Sequence, residues 1–163
     1  ADYRDLPLSG APPLRLLALD RVTNPQNLGM IVRTICASPL DGLLLPRQGC
    51  APLSPLVIKA SAGTLFRCPL WRCDRLGDAL AELAIRGVEV VVLAADAPTD
   101  LCAYRPEGAV VYVLGNETEG VSPAASALAK RRVRIPMANG VESLNVAVTA
   151  ALIAFRSLLA TPA

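Results

Sequence analysis

Val88-Glu89-Val90-Val91-Val92-Leu93 and Val110-Val111-Tyr112-Val113-Leu114 decide the fold. Each is a short, nearly continuous apolar run rich in β-branched residues. Such runs are strands covered on both faces, as in parallel sheets. Working outward from them, strands are expected over Val88–Ala94 and Ala109–Leu114, then over Leu14–Leu19, Gly42–Leu45 and Phe66–Leu70, with a short one at Val133–Ile135. Helical patterns fall between them, over Asn27–Ala37, Ser54–Ala62, Leu76–Arg86, Pro123–Ala129 and Leu144–Leu159. Strand–helix alternation of this kind predicts an α/β domain, a mostly parallel sheet with helices on both faces.

The 163 residues suit one domain with a sizeable core, and a mean hydropathy of +0.43 is too apolar for a disordered chain. No apolar run approaches the ~18–20 residues of a membrane span. The longest, Val146–Phe155, includes Thr149 and ends at Arg156. No basic-then-apolar leader opens the chain, so a cytoplasmic protein is expected. Residues 1–13 are rich in Pro, Gly and Asp and read as a tail or linker remnant before a folded domain at 14–163. The five cysteines are odd in number and lack C-x-x-C spacing, which argues against a disulfide framework or a zinc site. There is no histidine, so histidine acid/base catalysis, Ser-His-Asp triads and histidine metal sites are excluded. A net charge of +2 announces no overall basic field.

Three loops rich in Gly and Asn sit where α/β sheets bind ligands, beyond the carboxyl ends of strands. From Asn24 to Cys36, Leu28, Ile31, Val32, Ile35 and Cys36 form one buried stripe, and Gly29 and Arg33 share its flank. The glycine leaves bare backbone against which something can lie and meet the guanidinium; an amphipathic helix with an Asn cap and a solvated Arg fits equally. Asn27 stands near the helix N-terminus, where free N–H groups attract anions. Leu114-Gly115-Asn116-Glu117-Thr118-Glu119-Gly120 follows a buried strand, and its glycines allow positive φ or close backbone approach. It is neither a dinucleotide nor a phosphate-loop fingerprint, and Glu117 and Glu119 would repel phosphates, which favours a cationic or sugar-bearing ligand. A polar turn closed by two glycines is the plain alternative. In Arg134 to Asn145, Ser143 is placed as a helix N-cap, with Leu144, Val148, Ala151, Leu152 and Phe155 as the apolar face behind it.

Asn27-x-Gly29-x-x-x-Arg33, Leu114-Gly115-Asn116-Glu117-x-x-Gly120 and Ile135-Pro136-Met137 through Ser143-Leu144-Asn145 resemble, in order, the three motifs of the SpoU family of RNA 2′-O-methyltransferases, in the SPOUT class. Lys59-Ala60-Ser61-Ala62-Gly63 resembles a lesser family segment. The resemblance implies a SpoU-type methyltransferase catalytic domain over 14–163, a C-terminal trefoil knot and a homodimer with its active site at the subunit interface. It implies S-adenosyl-L-methionine as cofactor, held by Ala94, Ala95, Leu114, Gly115, Gly120, Ile135, Met137 and Leu144, and no metal. It places Arg33, Asn27, Glu117, Ser143 and Asn145 around a target ribose in rRNA or tRNA. Lys130, Arg131 and Arg132, with Arg33, are the candidate RNA contacts, since phosphate binding runs on such charges. A solvated basic strand entry is the other reading of that cluster.

With no histidine, the proton leaving a ribose hydroxyl must go to a carboxylate, an unusual arginine, a substrate phosphate or water. A neutral guanidine lies far from its ordinary pKa, so Arg33 is preferred as phosphate clamp and hydroxyl orienter. Glu117 is left the alternative of holding an asparagine or the arginine in place. The rival to an enzyme is a catalytically incomplete RNA- or cofactor-binding module that needs a missing RNA-binding domain.

Overall fold

The computed structural model describes residues 1–9 and 13–159; residues 10–12 of the expected tail lie outside them. Its strands are β1 (Arg15–Leu19), β2 (Gly42–Pro46), β3 (Leu70–Cys73), β4 (Glu89–Leu93), β5 (Thr99–Asp100), β6 (Val110–Leu114) and β7 (Arg131–Arg134). They form one sheet in the order β3-β2-β1-β6-β4-β7-β5, and every pairing in it is parallel. The helices are α1 (Pro25–Ala37), α2 (Pro55–Ala60), α3 (Leu76–Ile85), α4 (Pro123–Ser126) and α5 (Val146–Leu159).

Side-chain alternation along the central strands divides the core in two. Leu17 and Leu19 of β1, Val91 of β4 and Tyr112 and Leu114 of β6 face one layer with α1, α2 and α5. Leu16, Ala18, Val90, Val92, Val111 and Val113 face the other, with α3 and Ala125 of α4. Both faces are therefore covered, the condition that makes these strands continuous apolar runs. Because all strands run the same way, the loops after β1, β4, β6 and β7 emerge at one end of the sheet.

Several expectations are corrected. The strand expected at Phe66–Leu70 starts at Leu70, paired with Leu43 of β2, and Thr64–Phe66 is a 3-10 turn that leaves Phe66 exposed. Gly63, at φ +76°, and Pro69 punctuate this stretch. The two-residue β5 carries too little pattern to be seen. The helix expected from Leu144 begins at Val146, and it buries Val146, Ala147, Ala150, Ile153 and Ala154 while Val148 and Leu152 stay exposed. The Ala1 carbonyl accepts from the Arg72 amide at 2.8 Å, the terminal ammonium donates to the Leu70 carbonyl at 3.1 Å, and Tyr3 and Leu6 are buried against α3. This segment covers the outer edge of β3, whose backbone would otherwise be unpaired.

Gly29 is explained by packing between helices. A Cβ there would stand 2.5 Å from the Ala60 Cβ and 2.8 Å from the Val57 carbonyl, so α2 rests directly on the backbone of α1. Gly29→Ala is expected to destabilise the fold by about 1–3 kcal/mol through overpacking, read as a lower urea midpoint with an unchanged slope.

Candidate active site

Ala94 and Ala95 after β4, Leu114 at the end of β6 with Gly115 to Gly120 after it, and Ile135, Met137, Ser143 and Leu144 after β7 line one cavity of about 680 Å3. All eight residues expected to hold a cofactor are there, although they span fifty positions of the chain. The size is within the ~300–1,000 Å3 usual for small-molecule sites. Its walls are apolar at Leu114, Ile135, Met137 and Leu144, and its rim carries the carboxylates of Glu117, Glu119 and Glu142.

The β6 loop has a built shape. Asn116 and Gly120 exchange backbone hydrogen bonds at 3.1 and 2.9 Å, closing a small antiparallel ring over Gly115. A Cβ on Gly115 would lie 2.1 Å from the Gly120 carbonyl carbon, so only glycine fits. The Asn116 side chain fixes both flanks: its Oδ1 accepts from the Thr118 and Glu119 amides and its Nδ2 donates to the Arg21 carbonyl at 3.1 Å. The β7 loop turns at Asn139-Gly140, both at positive φ, with the Val141 amide donating to the Ala138 carbonyl at 3.2 Å.

Sequence reasoning missed Asp20 and Arg21. The buried Asp20 carboxylate accepts from the Ser122 amide at 2.6 Å, and Arg21, at φ +60°, donates to Glu119 and to the Gly120 carbonyl. These two residues latch the β1 loop to the β6 loop. Their place at the end of β1 is legible as a ligand-loop position; their partners a hundred residues away are not. Thr118, Val141 and Thr149 also line the cavity without having been singled out, and so does Arg134, the last residue of the basic run through β7.

Three expected residues meet at the rim. Asn145 caps α5, its Oδ1 accepting from the Ala147 amide at 2.8 Å, which corrects the assignment of that cap to Ser143. Its Nδ2 donates to the Asn27 Oδ1 at 3.2 Å, and the Asn27 Nδ2 donates to a Glu117 carboxylate oxygen. This chain of amides ties the N-termini of α1 and α5 to the β6 loop. Of the two holding roles left open for Glu117, it is the asparagine that the carboxylate engages. Asn27 is itself ordered by the Asn24 cap, whose Oδ1 accepts from the Gln26 and Asn27 amides.

Arg33 is not brought there. It is exposed on α1, does not line the cavity, and has no ion-pair or hydrogen-bond partner among the described residues. The bare backbone at Gly29 is filled by α2 rather than left for a ligand. Lys130, Arg131 and Arg132 stand at the start of β7, away from the cavity at its other end. Arg131 lies 3.6 Å from Glu89 and Arg132 pairs with Asp96.

The model of the SpoU rRNA Methylase family matches residues 15–155. An uncharacterized tRNA/rRNA methyltransferase of Mycolicibacterium vanbaalenii is 37% identical over 145 residues, covering 89% of this chain and 46% of its own length. The chain thus spans about half of that relative. The SpoU methyltransferase AviRb of Streptomyces viridochromogenes, solved in complex with the cofactor AdoMet, superposes with a TM-score of 0.83 at 26% identity, over 93% of this chain and 59% of that one. A protein solved to explain the 2-OH methylation of C/U34 on tRNA superposes with a TM-score of 0.79 at 27% identity, over 93% of both chains. With a parallel sheet of the same build and three separated loops closing one cavity, this chain belongs to the SpoU rRNA Methylase family.

Proposed function

We propose that the chain is the catalytic unit of an S-adenosyl-L-methionine-dependent RNA methyltransferase that modifies a ribose 2′-OH in rRNA or tRNA, as a homodimer in the cytoplasm. The observation that carries this is the convergence of three loops on one cavity with the Asn145–Asn27–Glu117 chain at its rim. The cofactor is S-adenosyl-L-methionine, which when bound supplies a methyl group on a positively charged sulfur. Leu114, Ile135, Met137 and Leu144 would enclose its apolar parts, and the rim carboxylates suit its charge. Asn27, Ser143 and Asn145 orient the ribose, and Glu117 holds Asn27. The Arg33 guanidinium clamps a phosphate beside the hydroxyl, whose proton passes to RNA phosphate or water. Lys130, Arg131 and Arg132 are kept as outlying RNA contacts, their attraction reduced by the carboxylates beside them. The sheet order, with β6 between β1 and β4, suits a C-terminal trefoil knot.

A second copy is needed to complete this site. α1 and α5 pack side by side and leave Met30, Val148 and Leu152 exposed by 48%, 46% and 38%. Pairing of that apolar surface across a twofold axis would hide it and carry Arg33 to the partner's cavity. Light scattering is expected to report a dimer.

Calorimetry with S-adenosylmethionine, followed by methyl transfer to naked rRNA and tRNA and mapping of the modified atom, tests the reading. Cofactor binding without transfer would favour the incomplete RNA- or cofactor-binding module. Methylation mapped to a base atom would overturn the ribose assignment. Leu144→Asp sets a charge against an apolar wall and is expected to weaken cofactor binding at least about tenfold; unchanged binding heat would remove Leu144 from the pocket.

A further inference from the structure

Charge along this chain is segregated in a way its net value hides. Between Asp20 and Asp74 the only carboxylate is Asp41, which accepts from the Arg15 amide at the sheet end opposite the cavity. The same span holds Arg21, Arg33, Arg47, Lys59, Arg67 and Arg72. Arg21 and Arg47 pair with Glu119 and Asp74, and Arg72 is half-buried. Arg33, Lys59 and Arg67 are exposed and have no acidic partner among the described residues.

Arg67 directly follows an exposed aromatic, Phe66, and Arg33 and Lys59 lie on the two helices that pack against its turn. Gly29 touches Ala60 at the end of α2, and two turns on, Cys36 is near enough to Cys68 to add to the rise of its thiol pKa, pushed up to about 12 chiefly by burial. Arg33 lies on the same stripe of α1 between these contacts, so the segment from Ser61 to Arg67 runs beside it. In that segment Phe66 is 75% exposed, a large apolar side chain held out to solvent. Its turn is built to hold it there. The buried Ser61 hydroxyl donates to the Ile58 carbonyl at 2.9 Å and accepts from the Leu65 amide at 3.4 Å, and the Thr64 hydroxyl donates to the Ser61 carbonyl at 2.8 Å. The turn also packs on α1.

An exposed ring among unpaired cations is the make-up of a surface for single-stranded nucleic acid, where bases stack and phosphates pair. We propose that Phe66 is a stacking platform for an unpaired RNA base next to the nucleotide being methylated, with Arg33, Lys59 and Arg67 holding the flanking phosphates. This rests on the RNA-methyltransferase reading and names how its substrate is gripped. With no acidic partner for its three cations among the described residues, this surface is better suited than the start of β7, where Glu89 and Asp96 already compensate the arginines.

The test is binding of an unstructured oligouridylate to the 163-residue chain, with S-adenosylmethionine calorimetry and light scattering on the same preparations. Phe66→Ala is expected to weaken the oligonucleotide by about 5- to 150-fold, the range for loss of one base–aromatic stack, with cofactor affinity and oligomeric state unchanged. Phe66→Trp is expected to keep the affinity and to lose fluorescence as the oligonucleotide binds. Lys59→Ala and Arg67→Ala should each lower the salt slope of log K by about 0.7. Wild-type affinity in Phe66→Ala, or its conversion to a monomer, overturns the platform, as does an absence of oligonucleotide binding by the wild type. Phe66-dependent RNA binding without any cofactor heat upholds the platform while removing the methyltransferase reading.

Discussion

Arg33→Ala is expected to cut methyl transfer to RNA by about 100- to 1,000-fold, the usual loss when one charged donor is taken from a reacting centre, while the S-adenosylmethionine dissociation constant stays unchanged. Geometry separates the two effects. The cavity is walled by loops after β4, β6 and β7, and Arg33 on α1 reaches none of it within its own subunit. Single-turnover transfer measured beside calorimetry checks this, and an equal loss of both would place Arg33 in the cofactor pocket.

The same geometry predicts where the guanidinium works. If Arg33 serves the partner's cavity, Arg33→Ala co-expressed with a chain whose own cavity is closed, such as Gly115→Val, regains activity. Random pairing makes half of the dimers mixed, each with one complete site of two, so recovery of about a quarter of wild-type activity is expected. A mixture no more active than its two components would assign Arg33 to its own subunit.

How much was legible follows from what each residue answers to. Val90 to Val92 and Val110 to Val113 announced buried parallel strands because both their faces are covered, a condition that writes itself into a continuous apolar run. The 115–120 loop was legible because glycines there answer to backbone crowding and positive φ, both properties of residue type. The start of α5 was not, because Ser143 and Asn145 are both competent caps. A two-residue shift of start turns a helix by more than half a circle, which accompanies the emergence of Val148 and Leu152 at the surface. Gly29 and Arg33 showed their shared flank but not its occupant, since α2 comes from elsewhere in the chain. The Asp20 and Arg21 latch has no local signature, being defined by partners in the β6 loop.

Gly115→Ala is expected to weaken S-adenosylmethionine by about 10- to 100-fold, with a much smaller loss of global stability. The added Cβ would stand 2.1 Å from the Gly120 carbonyl carbon and 2.2 Å from both the Gly120 oxygen and the Val121 amide nitrogen. These are backbone atoms and cannot rotate away. The Asn116–Gly120 ring must open, and with it go the Arg21 contact to the Gly120 carbonyl and the fixed position of Glu117 beside Asn27. Overpacking of this kind costs about 1–3 kcal/mol, and a loop driven out of its binding conformation reduces apparent affinity in proportion to the population lost. Gly120 supplies the control. Its φ is +67° but nothing lies within 4 Å of an added Cβ, so Gly120→Ala meets only the left-handed backbone cost of about 1–2 kcal/mol. Gly120→Asn should meet less, since asparagine tolerates that conformation. Calorimetry across the three variants should therefore rank the damage Gly115→Ala, then Gly120→Ala, then Gly120→Asn. Wild-type cofactor affinity in Gly115→Ala would mean that the cofactor does not depend on the closed form of this loop.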